Sequence, residues 1–355
     1  MVYQCLYREA LNIITHLIFL LAVLLLLPAL NKKYPFYILS FGVLFLFLAL
    51  RYDFGNDYMS YYGVHEALNA GWQLTLGNEE ILYKYFNLLI PNFYVMVAIL
   101  SFFYICTLFL LIKSTLYIRQ YWFAVLILLI NPYLFLVHLS SFRQTIALCF
   151  LVFAVHFLTK GKRLFYFLFI SIAVGFHQSA LVMFPVYFLL NQKKINAVKI
   201  VTIMGVVILL LITPLSDTLF KWILDFFPKG YSYYYEQGLQ NSLRATLISS
   251  FYFFLIVLNI NKLTGRELIY GKLALIATII SLLAYKASMI NRIGMYFDIF
   301  LIVTIPLIFS KMKQGKVRLI LFVAMFGIYI LRYWSFFNNP VWIEFYGTYQ
   351  TILNK

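Results

Sequence analysis

The sequence predicts an all-α protein, a polytopic bundle of helices embedded in a membrane. Of its 355 residues, 64% are hydrophobic and 11% are charged, and apolar runs recur along the whole chain. A soluble domain has about 45–50% apolar and about 25% charged residues, so these values exclude a soluble enzyme. The runs do not alternate with period two, as the strands of a membrane β-barrel do, which leaves helices as the spanning elements.

The apolar runs predict about twelve transmembrane segments, with a range of 10 to 14. The range is wide because several runs are shorter than the roughly 20 residues of a full crossing. No Gly/Ser-rich or Pro-rich linker divides the chain, so residues 1–355 are expected to form a single membrane domain. The predicted segments are residues 13–30, 34–50, 93–112, 121–139, 144–159, 164–176, 178–190, 200–216, 245–260, 273–285, 293–310 and 319–334.

The basic residues set the expected orientation. Every second connection, beginning after the first span, is basic, and together these connections hold seventeen Lys and Arg and one acid, Glu267. The positive-inside rule places them in the cytosol. The formal net charge of +16 is then an orientation signal and implies no nucleic-acid partner. The longer loops 51–92 and 215–244 are expected outside, where function is expected because long loops usually carry it.

Residues 164–190 are predicted to form a short hairpin that turns near His177. A single crossing would separate the basic clusters 160–163 and 193–199, whereas a hairpin keeps both in the cytosol. Each arm would be 13 residues, about 20 Å, which is shorter than a hydrocarbon core of about 30 Å. His177 is therefore expected at membrane depth, facing protein or a water-filled cavity.

Four polar clusters lie at the predicted external ends of spans. Charged residues there are costly, and each is a candidate functional residue. Two clusters also have a purely structural interpretation. In that interpretation Arg51 is an interfacial arginine beside a carboxylate, and Arg292 and Asp298 form a pair that only stabilises the bundle. The clusters are Arg51 with Asp53 and Asp57, Arg143 with Gln144, His177 with Ser179, and Arg292 with Asp298.

The chemistry of these clusters favours a diphosphate ligand. Guanidinium groups bind phosphate oxygens bidentately and stay charged, and Arg143 opens a helix whose N-terminus also suits an anion. Histidine is the usual proton carrier at neutral pH. The sequence has no metal-ligand spacing and no Gly-rich phosphate loop, so no metal and no cofactor is expected. The combination suits glycosyl transfer from a lipid diphosphate, with arginine in place of a metal.

The same clusters resemble the EpsG family of multi-span bacterial proteins, which includes Wzy-type polymerases of capsule, O-antigen and exopolysaccharide repeats. The resemblance covers about residues 40–300, with the motifs in the order that the family has. They are Arg51-Tyr-x-x-Gly-x-Asp57-x-x-x-Tyr61, Arg143-Gln144-x-x-Ala147, Phe176-His177-x-Ser179-Ala180 and Asn291-Arg292-Ile-x-x-Tyr296-Phe297.

The resemblance implies a bacterial cytoplasmic-membrane polymerase whose active face is external. It would join undecaprenyl-diphosphate-linked oligosaccharide repeats as donor and acceptor; a chain-length regulator is left open as a partner. Physical inference adds the roles. Arg51, Arg143 and Arg292 would bind the diphosphate, His177 would be the general base with Asp57 second, and Asp298 would orient Arg292. The supporting residues would be Gln144, Tyr296 and Asp53.

Two other classes of protein remain open. A flippase or transporter of lipid-linked oligosaccharides would also carry intramembrane arginines, although it should show inverted repeats with interrupted helices. A multi-span acyltransferase that modifies a surface polysaccharide would also use a histidine, but its acyl donor would have to reach the site from the cytosol.

Overall fold

The described part of the chain is almost entirely helical, which confirms the predicted all-α class. Its strands are two residues each, β1 (Arg51–Tyr52) and β2 (Gln350–Thr351). The second predicted external loop, 215–244, lies almost wholly outside the described residues. The computed structural model describes residues 2–28, 34–72, 80–192, 243–285 and 290–355, with isolated positions between 196 and 218.

The chain divides into two compact units. The first is formed by Met1–Phe184 together with Gly315–Lys355, and the second by Pro185–Gln314. Short 3-10 turns at Ile118–Gln120 and Gln178–Val182 lie between helices. The α-helices of the first unit are α1 (Val2–Leu24), α2 (Tyr34–Ala49), α3 (Tyr58–Asn69), α4 (Ile81–Leu89), α5 (Phe93–Thr115), α6 (Tyr121–Ile130), α7 (His138–Ser140), α8 (Phe142–Thr159) and α9 (Arg163–Phe176), and near the end of the chain Lys316–Phe337 and Pro340–Tyr346.

In the second unit, a buried lysine contacts the C-terminal end of the helix Met183–Leu190. Lys272 is 3% exposed, and its Nζ donates to the carbonyl oxygens of Leu189 and Leu190 at 2.9 and 3.2 Å. A cation at the C-terminal end of a helix satisfies carbonyls that have no partner within the helix. The helices that follow α9 are α10 (Met183–Leu190), which runs from the first unit into the second, α11 (Leu243–Asn259), α12 (Arg266–Leu283), α13 (Asn291–Asp298) and α14 (Leu301–Lys311). We label Lys316–Phe337 α15 and Pro340–Tyr346 α16.

Among the described residues, four helices are long and apolar enough to cross a membrane, or six if each of two bent helix pairs forms one span. Other apolar helices are shorter; α2 has 16 residues and α9 has 14. The twelve predicted crossings therefore stay a prediction. The four long helices are Phe93–Thr115, Phe142–Thr159, Arg244–Lys262 and Lys316–Phe337.

The helix is interrupted within two of the predicted spans. The segment 121–139 bends by 81° between α6 and the π-helix Tyr133–Val137, and the segment 293–310 bends by 52° between α13 and α14. The first break has a local cause: Pro132 has no N–H to donate and disfavours helical backbone at the residue before it. Asn131 accordingly leaves the helical region, with φ −113° and ψ 89°.

The chain turns at His177, which confirms the turn of the predicted hairpin. His177 has extended backbone, with φ −157° and ψ 116°, and ends α9. Tyr166 then donates its hydroxyl hydrogen to the carbonyl of Met183 at 2.7 Å, although 17 residues separate them. The turn places the His177 side chain at the end of α9, where it meets other elements of the first unit.

The loop that follows α2 packs against the segment near the end of the chain. Strands β1 and β2 pair antiparallel, and the backbone N–H of Gly55 donates to Phe345 O at 3.1 Å. Gly55 has φ +132°, and a Cβ there would lie 3.0 Å from Ser140 Oγ. Glycine is the residue that adopts this positive φ and allows this close approach without strain. The turn after the second predicted span therefore lies directly against Ser140, just before α8.

Candidate functional site

The loop between α2 and α3 meets the start of α8 at a pair of serines. Ser140 Oγ accepts a hydrogen bond from the backbone N–H of Asp57 at 3.0 Å, and Ser141 Oγ donates to Asp57 Oδ2 at 3.4 Å. Asn56 Nδ2 donates to the other carboxylate oxygen, Oδ1, at 3.0 Å. Neutral donors therefore hold both oxygens of the half-buried Asp57 carboxylate and fix its orientation.

Arg143 lies in the first turn of α8 and reaches two other elements. Its Nε donates to the Tyr61 hydroxyl at 3.4 Å, and its Nη1 forms an ion pair with Oε2 of Glu80. Burial raises the pKa of Tyr61 although the charge of Arg143 opposes this, so the hydroxyl stays protonated. The Arg143 side chain is 32% exposed, which leaves part of the guanidinium open to a ligand.

Glu80 joins Arg143 to His177. Glu80 Oε1 lies 2.6 Å from His177 Nδ1, while Oε2 holds Arg143. Burial alone would raise the pKa of Glu80, but the hydrogen bond from His177 and the charge of Arg143 outweigh burial and lower this pKa. Glu80 is thus an anion between two groups that favour its ionised form. The Glu80 and His177 side chains are 9% and 22% exposed.

Close helix packing brings Glu80 to His177. Glu80 immediately precedes α4, and α4 lies against α9, where a Cβ on Gly175 would come within 2.6 Å of Leu82 Cδ1. The other side of α4 is fixed by the fully buried His65 of α3, whose Nδ1 lies 3.1 Å from Asn87 Oδ1. Small residues permit close helix approach and buried polar pairs fix register, so the position of Glu80 is determined by α4 as a whole.

Arg51 is buried against residues that lie next to the site. It is 2% exposed, and its guanidinium carbon is 5.6 Å from the Tyr58 ring centroid and 5.5 Å from that of Phe142. Its Nη2 donates to Leu139 O at 3.3 Å, while Nε has no hydrogen-bond partner among the described residues. This geometry supports the backbone just before Ser140 and Ser141.

The remaining predicted residues are in other environments. Asp53 is an exposed residue with φ +45° in the same loop as Asp57, and Gln144 is buried at 5% exposure in α8. Arg292, Tyr296 and Asp298 belong to α13 in the second unit. There Tyr296 is fully buried, Arg292 is exposed and Asp298 is half-buried.

The structure thus brings some of the predicted site residues together, and the residue that links them, Glu80, was missed by the sequence analysis. Arg143 and His177 meet at Glu80, and Asp57 lies against the serines that precede Arg143. The missed residue had a sequence signal, since Glu79-Glu80 is an acidic pair directly before an apolar helix in a predicted external loop. In the described part of the chain, no group of three or more His, Cys, Asp or Glu could hold a metal ion.

These features define a helical membrane protein with a buried carboxylate, an imidazole and a guanidinium in one cluster. The chain belongs to the EpsG family, which it matches over residues 33–349. This is a Wzy-type, polymerase-like family associated with polysaccharide polymerisation. Comparisons with curated proteins and with solved structures found no match.

Proposed function

We propose that this protein is a polysaccharide polymerase, a glycosyltransferase that joins undecaprenyl-diphosphate-linked oligosaccharide repeats at the outer face of the bacterial cytoplasmic membrane. The observation that carries the proposal is Glu80, which contacts both Arg143 and His177 in a member of the EpsG family. Glycosyl transfer needs a cation that stabilises the leaving diphosphate and a base that accepts the proton of the attacking hydroxyl.

The reaction is a substitution at the anomeric carbon of the donor repeat. A hydroxyl oxygen of the acceptor repeat forms the new bond to that carbon, and the bond from the carbon to the diphosphate oxygen breaks. The lipid diphosphate leaves with the bonding electrons, and the hydroxyl proton passes to a base. The protein must therefore stabilise negative charge on the phosphate and accept one proton.

His177 is our first candidate for the base. A proton on Nδ1 satisfies the contact with Glu80 at 2.6 Å, which leaves the lone pair on Nε2 to accept the hydroxyl proton. Nε2 has no hydrogen-bond partner among the described residues. Glu80 then fixes the ring orientation and stabilises the imidazolium that forms, which is the arrangement of carboxylate and imidazole in hydrolase triads. Asp57 is the second candidate.

Arg143 is our candidate for the diphosphate. A guanidinium has five N–H donors, and in the described structure one contacts Tyr61 and one contacts Glu80. The others remain for phosphate oxygens, and Arg143 lies in the first turn of α8, where the helix dipole is also positive. Because arginine supplies the charge that a metal supplies elsewhere, we expect activity in the presence of a chelator.

The other predicted residues receive weaker assignments. Direct contact with a diphosphate would require Arg51 to leave its place between two rings, so we propose that it supports the backbone before α8. Arg292 remains a second candidate for the diphosphate, oriented by Asp298. Gln144, Tyr296 and Asp53 remain supporting candidates. The external position of the site rests on the basic connections, and the twelve crossings rest on the apolar runs.

Purified protein and a synthetic undecaprenyl-diphosphate-linked repeat test this proposal. We expect wild type to form polymer and release undecaprenyl diphosphate in EDTA, and Arg143→Ala and His177→Ala to abolish both at normal protein level. Arg163→Ala changes an exposed arginine at the other end of α9 and should stay active. Wild type that forms no polymer, or an active Arg143→Ala and His177→Ala pair, would contradict the proposal.

A deletion strain separates the proposal from its rivals. Loss of a polymerase leaves single lipid-linked repeats on the outer face, while loss of a flippase leaves them on the inner face. Loss of an acyltransferase leaves polymer of normal length that lacks a substituent. A chain-length regulator, if one acts with this protein, would alter the length distribution without being needed for bond formation.

A further inference from the structure

The segment near the end of the chain contacts the loop that carries Asp57. Tyr346, the last residue of α16, is 1% exposed, and its ring packs against Phe54 and Phe336 at centroid distances of 5.3 and 5.2 Å. Its hydroxyl lies 3.1 Å from Asn56 Oδ1, 290 residues earlier in the sequence. A buried tyrosine hydroxyl normally has a hydrogen-bond partner. Leu136 O also lies 3.3 Å from this hydroxyl, but the nearer acceptor, Asn56 Oδ1, belongs to the candidate site.

The contact fixes the orientation of the Asn56 amide. Its Oδ1 accepts from Tyr346, so its Nδ2 faces the other way and donates to Asp57 Oδ1 at 3.0 Å. Rotating the amide by 180° would place an oxygen against the Asp57 carboxylate, which repels it. The two hydrogen bonds therefore form a relay from the Tyr346 hydroxyl to one oxygen of Asp57.

The backbone on both sides of the relay is also held. Gly55 N–H donates to Phe345 O at 3.1 Å, and Asp57 N–H donates to Ser140 Oγ at 3.0 Å. The β1–β2 pairing fixes the start of the loop. The relay therefore adds to backbone contacts that keep the loop folded, and removing it should loosen the backbone around Asp57 and shift the carboxylate without unfolding the loop.

We propose that Tyr346 is a positioning residue for the transfer reaction, acting through Asn56 on the Asp57 carboxylate. The proposal rests on the proposed function, in which the site that includes Asp57 performs glycosyl transfer. It gives the α16 segment a role in the reaction that the sequence motifs of the site did not indicate.

Tyr346→Phe removes only the hydroxyl and keeps the ring packing. We expect kcat to fall about tenfold, the effect of one hydrogen bond of about 1.4 kcal/mol, with KM for the lipid-linked repeat unchanged. Tyr349→Phe is the matched control, because the Tyr349 hydroxyl is also buried but donates to Phe47 O at 2.6 Å. This control should keep wild-type kcat.

A double-mutant cycle separates positioning from general packing. If Tyr346 acts through Asn56, then Asn56→Ala should lower kcat, and adding Tyr346→Phe to it should change kcat no further. Independent losses that add in the double variant would overturn the proposal. Equal losses in Tyr346→Phe and Tyr349→Phe would also overturn it, because both would then reflect packing.

Amide hydrogen exchange tests the positioning without any assay of activity. We expect faster exchange in a peptide covering residues 53–58 in Tyr346→Phe, and wild-type exchange in Tyr349→Phe. Unchanged exchange in Tyr346→Phe would overturn the positioning role. If wild type forms no polymer but exchange responds as expected, the reaction we propose is refuted, while the relay on Asp57 stands.

Discussion

Glu80 Oε1 lies 2.6 Å from His177 Nδ1, although 97 residues separate the two side chains in the sequence. The same carboxylate forms an ion pair with Arg143 through its other oxygen. One anion therefore controls the orientation of both groups to which we assign the chemistry. A carboxylate in this position fixes which imidazole nitrogen carries the proton.

Glu80→Gln should lower kcat for polymer formation by about a hundredfold, since a positioned general base contributes about 10²–10⁴ in rate. The amide keeps the size of the carboxylate but cannot stabilise an imidazolium, and it can present its NH2 group to His177. The measurement is the initial rate of undecaprenyl diphosphate release by purified protein.

Glu66→Gln is the matched control for this change. Glu66 is exposed on α3, and the same substitution there removes one negative charge from the same unit without touching His177. We expect wild-type rates for this variant. A Glu80→Gln enzyme as fast as Glu66→Gln would show that the carboxylate has no part in the reaction.

The stability that Glu80 contributes should depend on pH in the acid range. Its pKa in the folded protein lies below the ordinary value of 4.5. Its contribution is therefore complete above the unfolded-state pKa and is lost as pH falls through the lower folded-state pKa. Thermal unfolding in detergent between about pH 3.5 and 5.5 measures this. The difference in Tm between wild type and Glu80→Gln should shrink as pH falls; a constant difference would exclude the lowered pKa.

Gly175→Ala should separate α4 from α9. The added Cβ would meet Leu82 Cδ1 at 2.6 Å and Cγ at 2.8 Å, so the Leu82 side chain or one of the two helices must shift. Overpacking of this kind costs about 1–3 kcal/mol, and here it also moves Glu80 away from His177. We expect a lower Tm and a larger fall in kcat than stability alone explains.

Two further variants make the test of this packing specific. Leu82→Ala removes the atoms that clash, so Gly175→Ala combined with Leu82→Ala should recover part of the lost activity. Gly63→Ala adds a Cβ that meets nothing within 4 Å and should behave as wild type. If Gly175→Ala is fully active, the contact between α4 and α9 does not position Glu80.

The sequence predicted those parts of the fold that depend on local pattern. The turn at His177 follows from charge clusters on both sides of a long apolar segment, and the helix that begins beside Arg143 follows from a polar group before an apolar run. The bend after α6 was missed although Asn131-Pro132 marks it, because an apolar run on both sides indicated one continuous span. Local signals therefore identified helices and turns better than breaks inside apolar segments.

The candidate site depends on contacts that no local pattern contains. Glu80 lies 63 residues before Arg143 and 97 before His177, and its position depends on the close approach of α4 to α9 at Gly175. The burial of Arg51 likewise depends on rings from α3 and α8. Residue type alone indicated three arginines for a diphosphate, while tertiary packing distinguishes the partly exposed Arg143 from the buried Arg51.

The variant Arg51→Lys tests whether Arg51 supports the backbone before α8 or binds the diphosphate directly. Lysine keeps the charge but lacks the planar group that packs between Tyr58 and Phe142 and the Nη2 donor that reaches Leu139 O. We expect a loss of about 1–3 kcal/mol in stability, because a buried cation and a carbonyl lose their partners. The folded fraction should keep the wild-type KM for the lipid-linked repeat. Thermal unfolding and steady-state kinetics on one preparation measure both quantities. A raised KM at unchanged Tm would instead show that Arg51 contacts the diphosphate, as its residue type first indicated.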